Sequence, residues 1–275
     1  MVENRIVYIN IFSRSVPYYY KDLFLEQGKS LFNLEQTVYF TKFNLSVLST
    51  TGKDIVAAYN KKTFPKKYAI INNKDNLIYS VATDSYRLAE KTIPNTKDLD
   101  FSFLIPQKHI PEILQIINEE DGEISLSRSN NIITFTSTTI TLSIHTIIGN
   151  FPDYRQLFPK EFTTTITLSK EELQKALLLT TFFNDHYSQV ECIFSNKKCT
   201  VHSKSEKIGQ VTHSITTTQN GDDIEVKYNN KFFLEVLPYI EGDIITCMFT
   251  TPNKPLFIQG KKDITFTYLL MPLMR

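Results

Sequence analysis

Thr164-Thr165-Ile166-Thr167-Leu168-Ser169-Lys170-Glu171-Glu172-Leu173-Gln174-Lys175-Ala176-Leu177-Leu178-Leu179-Thr180 carries two hydrophobic periods with no loop between them. Up to Leu168 the β-branched and apolar residues alternate with period two, the pattern of a half-buried strand. From Ser169 the period lengthens, and Leu173, Ala176, Leu177 and Thr180 fall on one helical face. Ser169 followed three residues later by Glu172 is the sequence form of a capping box, in which the serine oxygen takes an otherwise orphaned helix amide. The spacing therefore predicts a strand that runs straight into a helix over Lys170–Phe183.

Working outward, the same change of period occurs in three more places, giving expected helices over Gly52–Lys62, Gln107–Asn118 and Asn230–Tyr239. Lys53 and Lys170 lie about 120 residues apart, as do Lys108 and Lys231, and a fixed separation of this kind marks an internal repeat. Local texture repeats with it: Ile110-Pro111-Glu112-Ile113-Leu114 is answered by Phe233-Leu234-Glu235-Val236-Leu237. Most of the remaining chain alternates. Ile140, Leu142, Ile144 and Ile148 are separated by Thr141, Ser143 and His145, and Ile224 to Tyr228 and Ile264 to Tyr268 behave alike. Strands that outnumber helices in this way give an α+β class, with antiparallel sheets covered on one face by helices. The expected units are 40–160 and 161–275. Residues 1–39 fit neither, yet Val16-Pro17-Tyr18-Tyr19 and Leu23-Phe24 echo Phe151-Pro152-Asp153-Tyr154 and Leu157-Phe158, so they read as the closing part of a third unit.

Composition narrows the function. Thirty basic residues against 29 acidic ones leave a formal charge of +1, so binding to nucleic acid by sheer basicity is excluded. A hydrophobic content of 41% supplies a core, and no apolar run reaches the length of a membrane helix, so no membrane partner is expected. Three cysteines without a C-x-x-C pair fit a reducing, cytoplasmic location. Gly28-Lys29-Ser30 mimics the end of a phosphate-binding loop, but the glycine such a loop needs five positions earlier is Leu23. The five histidines are scattered, and no nucleophile, acid–base pair or metal-ligand spacing stands out. No catalytic residue, metal or cofactor is expected. What remains is a polar turn, Ala82-Thr83-Asp84-Ser85-Tyr86-Arg87-Leu88-Ala89, and a tail that stays apolar almost to its end, Tyr268-Leu269-Leu270-Met271-Pro272-Leu273-Met274-Arg275. Pro272 cannot continue a central strand, so Leu273 and Met274 are expected near the surface, as an adaptable apolar lip.

Taken in order, these segments resemble the bacterial beta sliding clamps, the processivity factors of replicative DNA polymerase. Ala82 to Ala89 resembles A-T-D-G-H-R-L-A, and Gly149-Asn150-Phe151-Pro152-Asp153-Tyr154-Arg155 resembles D-G-x-F-P-D-Y-R. Lys227-Tyr228-Asn229 with Phe232 to Leu237 resembles G-F-N-x-x-Y-L-x-D-V-L, and Tyr268 to Pro272 resembles Y-V-V-M-P. The resemblance implies tandem clamp domains, each with two helices on the inner face, and a non-catalytic subunit of the DNA polymerase III holoenzyme. On this reading 1–39 is a remnant of the first domain, 40–160 the central domain and 161–275 the C-terminal domain. The family closes as a head-to-tail ring of six such domains around duplex DNA. Two complete domains per chain leave open a trimeric ring, or a chain with impaired ring closure that acts only as a partner-peptide binder.

The resemblance also implies site residues. A partner-peptide groove between the two complete domains would take Thr83, Ser85, Tyr86, Arg87 and Leu88 on one wall and Pro152, Gln156 and Leu157 on the next. Tyr187 would stand at its rim, and Asn229, Phe232, Leu269, Leu270, Met271, Pro272, Leu273 and Met274 would complete it. Ser85 stands where the family has glycine, Tyr86 where it has histidine and Gln156 where it has a basic residue, while Leu273 is one residue extra. Lys53, Lys61, Lys62, Lys66, Lys67, Lys108, Lys170, Lys175 and Lys231 are candidates for loose contact with DNA phosphates, and Phe182 and Phe183 for a subunit interface. The implied partners are the polymerase catalytic subunit, the clamp loader, other proteins with clamp-binding motifs, and duplex DNA held without sequence specificity.

Overall fold

Alternation decides the local structure wherever it is strict. In Thr164–Ser169 the side chains of Thr164, Ile166 and Leu168 are buried and those between them half-buried, and the chain passes without a loop into an α-helix over Lys170–Thr180. The computed structural model describes residues 36–40, 68–74, 77–94, 102–106, 109, 113, 124–129, 131–136, 139–148, 151, 153–183 and 188–273. Within the first unit lie β1 (Gln36–Phe40), β2 (Tyr68–Lys74), β3 (Leu77–Thr83), β4 (Arg87–Pro94), β5 (Ser102–Pro106), β6 (Ile124–Ser129), β7 (Ile132–Thr136) and β8 (Thr141–His145). The second holds β9 (Thr164–Ser169), α1 (Lys170–Thr180), β10 (Gln189–Ser195), β11 (Lys198–Ser205), β12 (Gly209–Thr216), β13 (Thr218–Asn220), β14 (Ile224–Asn229), α2 (Asn230–Val236), β15 (Ile244–Phe249), β16 (Leu256–Gly260) and β17 (Phe266–Leu270).

Three antiparallel sheets result. One runs β1-β6-β7-β8, a second β12-β11-β10-β14, and a nine-stranded sheet runs β13-β9-β15-β16-β17-β4-β3-β2-β5. The last crosses from one unit to the other where β17 pairs with β4, in a register from Phe266 opposite Lys91 to Leu270 opposite Arg87. β1 pairs along its whole length with β6, from Gln36 opposite Arg128 to Phe40 opposite Ile124. A unit boundary at residue 40 would cut that strand, so the first unit begins at or before Gln36.

The second unit's core lies between β10, β11 and β14 on one side and β9 and β15 on the other, closed by the helices. Leu173, Ala176 and Leu177 of α1 meet Val190, Cys192, Phe194, Cys199, Val201, Ile245, Cys247 and Phe249 there, all at most 1% exposed. Burial pushes all three cysteine thiols above their ordinary range, which makes them inert. The Ser169 hydroxyl accepts the Glu172 amide at 3.3 Å, as the capping pattern requires. Asn230 ties the helices together: its amide donates to the Leu177 carbonyl at 3.0 Å and to the Thr180 hydroxyl at 2.9 Å, which satisfies orphaned groups at the end of α1. Gly221 needs its missing side chain, because it turns at φ +106° with the Thr163 carbonyl 2.1 Å from where a Cβ would sit.

Several expected bounds shift. Lys170–Phe183 is α-helical only to Thr180 and ends in a 3-10 turn over Thr181–Phe183. Asn230–Tyr239 likewise tightens into a 3-10 turn at Leu237–Tyr239, because Pro238 cannot donate to a longer helix. Ile264 is 73% exposed in the turn before β17, and Ile148 is 80% exposed beyond β8, so neither continues its strand's alternation. The expected helix over Gly52–Lys62 lies outside the described residues, as does Gln107–Asn118 apart from His109 and Ile113.

Candidate functional site

The turn between β3 and β4 is built by its own polar side chains. One Asp84 carboxylate oxygen accepts the amides of Tyr86 and Arg87, each at 3.0 Å. The Thr83 hydroxyl accepts the Ser85 amide at 3.2 Å and donates to the Arg87 carbonyl at 2.8 Å. Ser85 is thereby held at φ +77°, a region that favours glycine. The turn leaves Ser85 and Tyr86 exposed and drives Arg87 inward.

Arg87 is 2% exposed and finds partners in both units. Its Nε donates to Asp84 at 3.2 Å and its Nη1 to Glu235 of α2, while its guanidinium lies 4.2 Å from the centre of the Phe232 ring. The N-terminus of α2 is capped by Asn229, whose side-chain oxygen accepts the amides of Lys231 and Phe232 at 3.0 and 3.3 Å. The Tyr268 hydroxyl donates to the Phe232 carbonyl at 3.1 Å. Across the surface the Tyr86 and Phe232 rings pair at 6.4 Å. The tail then stitches the site shut: the Met271 amide donates to the Tyr86 carbonyl at 2.9 Å and the Leu273 amide to the Lys227 carbonyl at 2.8 Å.

Two further ionic clusters follow along β4. The Lys91 ammonium meets Asp263 at 2.7 Å. Glu90 accepts the Tyr154 hydroxyl at 2.5 Å and Arg155 at 3.0 Å. Burial, the largest influence, raises the carboxyls of Asp84 and Glu90 above their ordinary range despite the arginines beside them. Burial acts on Asp263 too, but hydrogen bonds from Lys91 and Thr265 and the lysine charge outweigh it and hold that carboxyl low.

The structure brings Thr83, Ser85, Tyr86, Arg87, Leu88, Asn229, Phe232, Leu269, Leu270, Met271, Pro272 and Leu273 to the junction of the two units, and it divides them into surface and foundation. Tyr86 is 59% exposed, whereas Arg87, Leu88, Leu269 and Leu270 are at most 2% exposed. As wall residues these four are corrected: Leu88 and Leu269 pack in a cluster with Val81, Leu104, Tyr154 and Phe257 beneath the junction, where a bound chain has no access to them. Leu157 is 41% exposed and Gln156, also exposed, donates to Asp153 at 2.9 Å. Pro152, Tyr187 and Met274 lie outside the described residues.

Of the candidate phosphate contacts, Lys53, Lys61, Lys62, Lys66, Lys67 and Lys108 also lie outside them. Lys170 is half-buried, and its ammonium donates to the Ile240 carbonyl at 2.8 Å. Lys175 is exposed and paired with Glu171 at 2.6 Å, and Lys231 is exposed at the start of α2. Phe182 is 70% exposed, and Phe183 is half-buried against Gly209. Sequence reasoning missed the rest of that surface, Leu178, Leu179 and Ile208, because a leucine run on a short helix reads as core until its neighbours are known. It also missed Glu235, Glu90 and Lys91, whose partners lie far away in the chain. Among the described residues no three His, Cys, Asp or Glu side chains group as a metal site, and no helix is long and apolar enough to cross a membrane.

Two family models match the chain: the central domain of the DNA polymerase III beta subunit over residues 68–153, and its C-terminal domain over 155–274. The chain belongs to this family. The beta sliding clamp of Streptococcus pneumoniae is 26% identical over 200 residues, covering 70% of this chain and 52% of that protein. That of Haemophilus influenzae is 24% identical over 202 residues, covering 72% and 55%. The chain thus spans about half the length of the curated relatives it matches. Among solved structures, the Thermotoga maritima beta subunit superposes with a TM-score of 0.80 at 21% identity, covering 90% of this chain and 67% of that one. A Pseudomonas aeruginosa sliding clamp bound to griselimycin gives 0.78 at 19%, covering 88% and 66%. The tandem clamp-domain fold is therefore that of the beta subunits, with the β4–β17 ladder joining central and C-terminal domains.

Proposed function

We propose that this chain is a sliding clamp that tethers a replicative DNA polymerase to duplex DNA, performs no chemistry of its own, and takes partner peptides at the junction of its two domains. The observation that carries this reading is the β4–β17 ladder with the tail laid beside it. The ladder makes one platform of two domains, and an aromatic pair, the exposed Tyr86 and the half-buried Phe232, sits over the join next to a tail pinned to both sides. An apolar slot with a few polar hooks suits an extended peptide. The exposed lip of that slot is Ser85, Tyr86, Gln156 and Leu157, with Asn229, Phe232, Met271 and Leu273 only partly covered. Pro152, Tyr187 and Met274 belong to it by family resemblance, whereas Pro272 is buried.

The test is fluorescence anisotropy with a fluorescein-labelled polymerase-derived clamp-binding peptide, with griselimycin as competitor. Removal of Leu273 to Arg275 is expected to weaken binding at least about tenfold, with little change in Tm because β17 ends at Leu270. Unchanged affinity sinks the assignment of the tail to the groove. The unloaded chain should bind linear duplex DNA feebly and with strong salt dependence, through a few lysine–phosphate contacts such as those of Lys175 and Lys231. The exposed Phe182, Leu178, Leu179 and Ile208 are the surface for ring contacts between chains. Phe182→Asp should reduce any self-association in analytical ultracentrifugation without unfolding the protein.

A further inference from the structure

The Phe232 ring has two kinds of support, and they act on different parts of the residue. Its backbone is held by the Asn229 cap and by the Tyr268 hydroxyl. Its ring rests on the Arg87 guanidinium at 4.2 Å. A guanidinium is planar, and its donors lie in that plane. Two carboxylates meet those donors: Asp84 from the turn at Nε and Glu235 from α2 at Nη1. With both in place the plane cannot rotate, so its face is committed to Phe232. Glu235 lies three residues beyond Phe232 on the same helix, which places both on the side of α2 that meets Arg87. Asp84 has a second duty in capping the turn, whereas the only hydrogen bond described for the Glu235 side chain is the one from Arg87.

We propose that Glu235 is a positioning residue for the peptide groove: through Arg87 it fixes the Phe232 ring, and with it the Tyr86–Phe232 pair, as a preformed aromatic wall for a large apolar or aromatic side chain of an extended peptide. This rests on the groove reading above and deepens it. Without Glu235 the guanidinium keeps Asp84 and Tyr268 beside it but loses its tie to α2, so its face is no longer committed to Phe232 and the peptide must order the wall as it binds, which lowers affinity.

The experiment is a double-mutant cycle on the full chain, read by anisotropy with the same labelled peptide, with near-UV circular dichroism to establish folding. Glu235→Ala should weaken binding about tenfold and Phe232→Ala at least as much. The combined variant should be no weaker than Phe232→Ala alone, because Glu235 has nothing left to position. A purely structural role would instead lower affinity in both backgrounds equally, and additive losses overturn the proposal. So does full affinity in Glu235→Ala when Phe232→Ala is impaired. If Glu235→Ala does not fold, Glu235→Gln, which keeps the length and drops the charge, takes its place in the cycle. Should neither Tyr86→Ala nor Phe232→Ala alter affinity, the groove reading itself fails and takes the positioning role with it.

Discussion

The C-terminal domain's core and the seam between the domains are both buried, yet the core is apolar throughout while the seam adds buried charge to the apolar cluster of Leu88, Leu269 and Phe257. The core joins two sheets through Leu177, Cys192, Phe194, Phe233, Cys247 and Phe249 and relies on apolar area. The seam sets Arg87, Glu90 and Lys91 along one strand, each at most 5% exposed, and sends each to a different place: α2, the pair Tyr154 and Arg155, and Asp263 before β17. Apolar packing tolerates small displacements. A charged group taken out of water does not, since it must meet its partner or bear the full desolvation cost. The contrast teaches a division of labour, in which apolar area stabilises core and seam alike and buried charge adds a demand for matched partners at the seam alone.

The largest effect should come from breaking the core. Phe233 is fully buried against Tyr228, and Phe233→Ala should lose about 3–5 kcal/mol in urea denaturation. A loss near zero would mean that the two sheets do not depend on α2. At the seam, Lys91→Met leaves Asp263 with only the Thr265 donors, and should lose about 1–3 kcal/mol. The paired change Lys91→Met with Asp263→Leu should recover most of that loss, because no charge is then stranded. If it recovers nothing, the seam is held by shape rather than by matched charge.

A subtler contrast lies within the seam itself, in pH. The Asp263 carboxyl is held below its ordinary 3.8, so its contribution is present above that pH and is lost as pH falls through the depressed value. Glu90 is raised above its ordinary 4.5, so its contribution is present below 4.5 and is lost as pH rises through the raised value. Stability measured from about pH 6 to about pH 3 should therefore show the advantage of wild type over Asp263→Asn shrinking with acid. Relative to Glu90→Gln, wild type should gain over the same range; slopes of equal sign would contradict these environments. The smallest effect expected is at the turn. Ser85 holds φ +77° at no evident benefit to stability, and Ser85→Gly should add roughly 1 kcal/mol, seen as a raised Tm. No gain would show that the Ser85 side chain makes up for its strained backbone.

Much of the site was legible before any coordinates. The polar turn from Thr83 to Arg87 and the apolar run that ends the chain are each spelled out by neighbouring residues, and both meet at the junction, whereas the Asn229 cap of α2 emerged only in the structure. What could not be read was which of these residues face outward. Tyr86 and Arg87 are adjacent in the chain, yet one is 59% exposed and the other 2%. Nor does composition distinguish Lys170, engaged with Ile240, from Lys231, which is exposed.

By itself the sequence determined the period-two stretches, the change of period at Ser169 that opens α1, and the cap at Ser169. All of these are interactions among residues a few positions apart, and local sterics and hydrogen bonding suffice to select them. Only the tertiary structure decided that β17 would lie against β4 and that Arg87 would find Glu235, 148 residues away. Periodicity marks which face of a strand is apolar and is silent about which strand comes next to it. That choice is made when two domains exclude water from one edge, and the charges on that edge must then be matched.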